Sequence, residues 1–224
     1  MIDNFMRRML DRPLTRVAGV LNMSWVTPNR LTLAGLVLGL ASAVLAANQW
    51  WAMAVAAWLV SRLFDGLDGA LARVRRASVD KRPGEAGGFL DIVADFIVYG
   101  ATVFGVAVGA ADGFGAPWWP FMFVLVAYYV NGTAFLAFSS IAERTGRQID
   151  DGRSLSFLGR IAEGTETILV HSLWLIVPAF AWQTAVLWGV FVALSATQRI
   201  IVGFRILNRP ASPGPVGSPR TSVP

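Results

Sequence analysis

Four aspartates set the chemistry of this chain. Asp65 and Asp68 stand three residues apart, Asp91 and Asp95 four apart, each pair near the end of a strongly apolar segment. On an α-helix, side chains at those spacings share a face, so each pair projects to one side. Ionisable groups in such segments are costly and mark function by default. Four carboxylates in one small space cannot all stay ionised without compensation. Two divalent cations would compensate them, and an oxygen-only ligand set selects hard ions, Mg2+ or Mn2+. Ions held this way commonly bind a substrate diphosphate and polarise its phosphorus for attack. Gly66, Gly69, Ala70 and Ala72 lie among the acids and leave room for a ligand against the helix. Arg73, one turn beyond Gly69, could hold phosphate oxygens with its planar fork.

Other chemistries fit less well. The acids could form a salt-bridge network with Arg62 and Arg73. A calcium loop is weaker still, because Asp65-Gly66-Leu67-Asp68-Gly69 lacks the alternating acids and the closing glutamate of that motif. Small residues alone would mean helix packing, but here they alternate with Asp and Arg. An intramembrane prenyltransferase also holds a diphosphate through Mg2+ on Asp-rich helices, without the Gly69, Ala72 and Arg73 interleaving. An ion-coupled transporter would show internal repeats and broken helices, and neither is visible.

The elements that must position these residues are membrane helices. Of 224 residues, 55% are hydrophobic and arranged in long blocks, which points to one polytopic membrane domain rather than a soluble one. The expected fold is all-α, with six transmembrane helices near 30–48, 52–73, 88–111, 119–142, 158–179 and 184–206. An amphipathic helix over 3–21, carrying four arginines among apolar residues, is expected to lie on the membrane surface. The organisation is then 1–28 as surface helix and connector, 29–207 as the six-helix domain, and 208–224 as a Pro/Gly/Ser-rich disordered tail. Thr27-Pro28-Asn29 punctuates the chain, and Asn29 or Thr27 could cap the first span.

Orientation follows from the basic residues. The loops near 46–51, 112–118 and 178–185 contain no Lys or Arg, whereas the N-terminal segment, 73–87, 143–157 and the tail hold most of them. The positive-inside rule makes the latter four regions cytoplasmic, with both termini inside. The net charge of +5 is accounted for by this topology, so nucleic-acid binding is not expected. Zero cysteines exclude disulfides and thiolate metal sites. No signal peptide is expected at the N-terminus, where arginines run through the segment. A rise of about 1.5 Å per residue puts Asp65 roughly 20 Å from the Trp50–Trp51 belt, in the cytoplasmic third of the bilayer.

At this point a resemblance is plain. Asp65-x-x-Asp68-Gly69-x-x-Ala72-Arg73 followed by Gly87-x-x-x-Asp91-x-x-x-Asp95 resembles the signature of the CDP-alcohol phosphotransferase (phosphatidyltransferase) family, with every signature residue present. The 13 residues between Arg73 and Gly87 are more than the family usually has, but they fall in a loop. The likeness covers about 3–207 and includes the Thr27-Pro28-Asn29-x-Leu31-Thr32 stretch. Gly159 to Thr167 is similar to a bacterial inner-membrane branch distinct from the phosphatidylglycerophosphate and phosphatidylinositol-phosphate synthases.

The resemblance implies a reaction. A phosphatidyl group would pass from CDP-diacylglycerol to an alcohol acceptor, with release of CMP. Asp65, Asp68 and Asp91 would be metal ligands. Asp95 would complete the metal site and act as general base. Gly69, Ala72 and Arg73 would line the CDP pocket. A homodimer in the bacterial inner membrane, with a cytoplasmic active site, is implied as well. The acceptor should lie beside Asp95, near the polar start of the fifth span. Arg160 is the best single candidate to bind it, with Glu163 and Glu166 beside it. Arg144, Arg147 and Arg153 are better explained by topology. His171, the one histidine, is expected to be packed or hydrogen-bonded rather than catalytic.

Overall fold

The computed structural model describes residues 12–23, 25–78, 85–145 and 164–208. All regular structure among them is helical. The helices are α1 (12–20, its start outside the described residues), α2 (Pro28–Ala47), α3 (Trp51–Ser78), α4 (Glu85–Phe114), α5 (Trp119–Arg144), α6 (Gly164–Ile176) and α7 (Ala181–Leu207). A 3-10 turn, Pro178–Phe180, leads into α7.

Local chemistry explains the α2–α3 hairpin. Thr27 is the N-cap of α2, its side chain accepting from the Arg30 amide at 3.3 Å, and Pro28 fills the first turn where no donor is needed. At the other end the Asn48 side-chain amide donates to the Val44 carbonyl at 2.8 Å. Gln49 then takes a φ of 62°, a left-handed conformation that reverses the chain within three residues. Trp50 follows, exposed, and α3 runs back along α2.

Helix α2 is the central support. It packs closely against both α3 and α4, whereas those two make few close backbone approaches to each other. Contacts of α2 with α3 run in opposite chain directions: Thr32 meets Asp68, Gly35 meets Ser61 and Phe64, and Ser42 meets Ala54. Contacts with α4 run in the same direction: Asn29 meets Gly87, Gly39 meets Val98, Ala43 meets Gly105, and Ala46 meets Gly109. Helices α3 and α4 are therefore antiparallel, both leaning on α2. Ser61 Oγ donates to the Gly35 carbonyl at 2.7 Å and Ser42 Oγ to the Ala54 carbonyl at 2.8 Å. Such bonds average only about 0.6 kcal/mol each in a membrane, so the close approach allowed by small residues dominates this interface.

A second pair, α5 and α7, packs in parallel, with Phe123 against Gly189 and Phe138 against Gly203. Helix α6 joins it to α3 through Trp58, whose ring nitrogen donates to Ser172 Oγ at 3.0 Å. The main core runs through Trp58, Val98, Phe121, Trp174 and Val192. A smaller cluster joins α1 to α3: Leu14, Ala18 and Leu21 pack on Leu67, Ala70 and Leu71, while Val17 and Val20 stay exposed.

Among the described residues four segments are long and apolar enough to cross a membrane: Pro28–Ala47, Ala86–Phe114, Trp119–Arg144 and Pro178–Leu207. That is fewer than the six expected spans. Helix α3 has the length, but Arg62, Asp65 and Asp68 interrupt any stretch of it long enough to cross. The described part of α6 is 13 residues and ends at Ile176. Of the surface helix expected over 3–21, residues 12–20 are seen as helix, resting one face on α3. Residues 3–11 of it lie outside the described residues, as do 79–84, 146–163 and the tail from 209.

Candidate active site

The α2 scaffold leaves a cleft between α3 and α4, and all four aspartates meet there. Asp65 lies within electrostatic reach of Asp95, Asp91 and Asp68, and Asp68 in turn of Asp91 and Asp95. Asp68 is buried, and the other three are half-buried.

One cation stands among them. Arg62 Nη1 donates to Asp95 Oδ1 at 2.7 Å and lies 3.8 Å from Asp65 Oδ1, while its Nη2 donates to Ser61 Oγ at 3.1 Å. The guanidinium also sits 5.2 Å from the ring centroids of both Trp58 and Tyr99. These partners follow from helix geometry. Trp58, Arg62 and Asp65 are one-turn steps along α3, and Asp95 and Tyr99 are one turn apart on α4. The salt-bridge network considered from sequence is thus real for Arg62, and it uses two of the aspartates.

The N-terminus of α2 forms a third wall. The Thr32 hydroxyl bonds Asp68 Oδ2 and lies 3.2 Å from the Pro28 carbonyl oxygen. Asn29 Oδ1 approaches Gly87 so closely that a Cβ there would stand 3.3 Å from it. Gly87 is one turn before Asp91, so the glycine admits Asn29 beside the acidic face of α4. Sequence reasoning did not assign Arg62, Asn29 or Thr32 to the site. The available signal was the one-turn spacing of Asn29 and Thr32, two polar residues opening an apolar helix, and of Trp58, Arg62 and Asp65.

The small residues of α3 divide by face. Gly66 and Ala70 serve packing: a Cβ on Gly66 would stand 3.3 Å from Leu14 of α1, and Ala70 is fully buried in the α1 cluster. Gly69 and Ala72 are half-buried on the same side as Asp65 and Asp68. A Cβ on Gly69 would meet only Arg73 Nη1, at 3.5 Å. Arg73 is exposed at the end of this stripe. Two residues further on, Arg75 donates to Asn22 Oδ1 at 3.0 Å and to the Met23 and Val26 carbonyls at 2.8 and 2.6 Å, tying the α1–α2 connector to α3.

Of the acceptor candidates, Arg160 and Glu163 lie outside the described residues. Glu166 is in the first turn of α6 with Oε2 buried and without a hydrogen bond among the described residues. No ion pair or hydrogen bond there joins it to the aspartates. His171 is fully buried, 3.0 Å from the Tyr128 hydroxyl and packed among Trp58, Tyr99 and Trp174. Tyr128 in turn accepts from the Trp188 ring nitrogen at 2.6 Å. His171 therefore belongs to the core that joins α3, α5, α6 and α7.

The profile of the CDP-alcohol phosphatidyltransferase family matches residues 25–196. The chain belongs to the CDP-alcohol phosphatidyltransferase family. It is 35% identical over 214 residues to inner membrane protein YnjF of Escherichia coli, covering 93% of this chain and 98% of that one. It is 34% identical over 103 residues to archaetidylinositol phosphate synthase of Pyrococcus horikoshii, covering 46% and 52%. Among solved structures, phosphatidylinositol phosphate synthase of Mycobacterium tuberculosis, with CDP-DAG bound, superposes with a TM-score of 0.58 at 23% identity, covering 88% of this chain and 92% of that one. That likeness establishes a shared fold.

CDP-alcohol phosphatidyltransferases generally use divalent metal ions. The donors here suit such ions: four carboxylates share the cleft with one guanidinium, and Asp91 makes no hydrogen bond or ion pair among the described residues. Among those residues no three His, Cys, Asp or Glu side chains are gathered tightly enough to cage an ion as they stand. The Arg62 guanidinium lies between Asp65 and Asp95.

Proposed function

We propose that this chain transfers a phosphatidyl group from CDP-diacylglycerol to an alcohol and releases CMP. The observation that carries this reading is the meeting of Asp65, Asp68, Asp91 and Asp95 across the α3–α4 cleft, within the part of the chain that the family profile matches. Asp65, Asp68 and Asp91 would hold two divalent ions, Mg2+ or Mn2+, with Asp95 completing the set. Bound there, the ions would neutralise the diphosphate and make its lipid-side phosphorus more electrophilic.

The protein's own groups do the rest. The stripe of Gly69 and Ala72 offers a surface without bulk for the nucleotide, and Arg73 supplies a cation at its open end. Asp95 takes the proton of the acceptor hydroxyl as that oxygen bonds to phosphorus. The bond from phosphorus to the CMP oxygen breaks, and CMP leaves with the electron pair. Thr32 orients Asp68 through its hydroxyl, as an outer-shell partner does.

The same reading places six helices across the bacterial inner membrane, with the acids, both termini and the basic segments on the cytoplasmic side, and α1 on that surface. The inner-membrane relative and the four long apolar helices support it. A homodimer, implied by the family, is part of it. Glu166, with Arg160 and Glu163 in the adjoining segment, would face the acceptor.

Purified protein in detergent with Mg2+ or Mn2+ and CDP-diacylglycerol should release CMP when the correct alcohol is supplied from a panel of phosphorylated and free polyols. Absence of CMP across the panel, together with no binding of the nucleotide lipid, would overturn the enzyme assignment. Thr32→Val keeps the shape and removes the hydroxyl. It should cost about tenfold in metal-dependent turnover, the lower range for losing an outer-shell partner. Unchanged metal titration of CMP release in this variant would remove Thr32 from the site.

A further inference from the structure

Arg62 is built into the acid cleft more firmly than a surface ion pair would be. Its side chain is buried, it reaches two aspartates through one nitrogen, and two aromatic rings hold it. Its Nε is also buried and has no hydrogen-bond partner among the described residues. The groups that face it are Trp58, Ser61 and Asp65 on α3 and Asp95 and Tyr99 on α4.

The oxygens it uses are Oδ1 of Asp95 and Oδ1 of Asp65, two of the carboxylates assigned above to metal. A Mg2+-sized ion bonds carboxylate oxygen at about 2.0–2.1 Å. Such an ion on these oxygens would stand within a few ångströms of the guanidinium, where like charges repel strongly. Cation and metal therefore cannot both keep the full interaction. The rings of Trp58 and Tyr99 remain as a resting place for the guanidinium when a carboxylate is taken from it.

The geometry points to Arg62 as a resident counter-ion that competes with divalent metal for Asp65 and Asp95. It neutralises the cleft when no substrate is present and keeps metal binding weak. Arrival of a diphosphate adds negative charge, which favours the metal over the guanidinium. Metal and nucleotide lipid then load together. This inference rests on the metal role of the aspartates proposed above.

Mn2+ binding followed by electron paramagnetic resonance separates the two claims. The purified full chain, Arg62→Met and Arg62→Gln would be titrated with Mn2+, with and without CDP-diacylglycerol. Loss of a unit positive charge beside the ion should tighten Mn2+ binding to lipid-free Arg62→Met about tenfold or more. The nucleotide lipid should tighten binding to the native protein far more than to the variant. In chelator, Arg62→Met should unfold at a lower temperature than the native protein, and added Mn2+ should close that gap. Should the Met variant not fold, Arg62→Gln, which removes the charge but keeps an amide donor for Asp95, should bind Mn2+ more tightly than the native chain. Equal or weaker Mn2+ binding in the folded variants, with the native protein binding the ion, would overturn the counter-ion role alone. No Mn2+ binding by any of these proteins, with or without the lipid, would overturn the metal assignment of the aspartates and this inference with it.

Discussion

Asp95→Asn should lower turnover by about three orders of magnitude while leaving binding of CDP-diacylglycerol within severalfold, the range expected when a general base is lost. The substitution is isosteric. Asparagine keeps an oxygen that can accept from Arg62 Nη1, now 2.7 Å from Asp95 Oδ1, so the α3–α4 cleft retains that tie. On the metal assignment proposed above, Asp65, Asp68 and Asp91 remain to hold the ions. What disappears is the carboxylate that can take the acceptor's proton. Single-turnover CMP release measures the chemical step, and equilibrium binding of the nucleotide lipid measures the rest. Near-normal turnover would rule out the base role. Parallel loss of binding and turnover would instead assign Asp95 mainly to the metal.

Gly109→Ala should destabilise the bundle by about 1–3 kcal/mol, as overpacking of a close interface does. A Cβ at Gly109 would press on the Ala46 carbonyl and reach within 2.8 Å of the Trp51 ring. The first obstacle is backbone and cannot rotate away, so α2 and α4 must separate. Because α2 holds both acid-bearing helices, activity should fall along with the unfolding temperature in detergent. Gly100→Ala is the control. A Cβ there meets nothing within 4 Å, and alanine is a better helix former than glycine by about 1 kcal/mol. Equal unfolding temperatures for Gly109→Ala and the native protein would show that α2 and α4 do not need this approach.

Much of this arrangement was legible in the sequence because it depends on one helix at a time. Spacing alone puts Asp65 with Asp68 and Asp91 with Asp95, and the structure joins the two pairs. Thr27-Pro28-Asn29 marks the break before α2, and Thr27 is its cap. Helix ends were less legible. The second apolar block was expected to end at 73, yet α3 continues to Ser78, and α4 begins at Glu85 rather than 88. Hydropathy falls at the first charges, whereas helical hydrogen bonding continues through Arg73 to Ser78 because Ala and Arg are good helix formers.

Relations between helices were not legible. Periodicity tells which face of α3 carries the acids but not that α2 braces both it and α4. It places Arg62 one turn from Asp65 but cannot show that the guanidinium reaches across to Asp95. Gly66 and Ala70 seemed part of the ligand surface because they alternate with acids. Their actual neighbour is Leu14 and the α1 cluster, some fifty residues earlier in the chain.

That neighbour has a consequence for how α3 can move. Between Gly66 and Ala70 the helix is engaged on two sides at one level: Asp68 is bonded to Thr32 of α2, and Gly66 and Ala70 are covered by α1. Turning the helix by one residue is a rotation of about 100°. Such a turn would drive the larger side chain of Asp65 or Leu67 into the place now fitted to Gly66, and it would break the bond to Thr32. Helix α1 therefore works as a rotational lock, holding the azimuth of the acids from the far side of the helix that carries them.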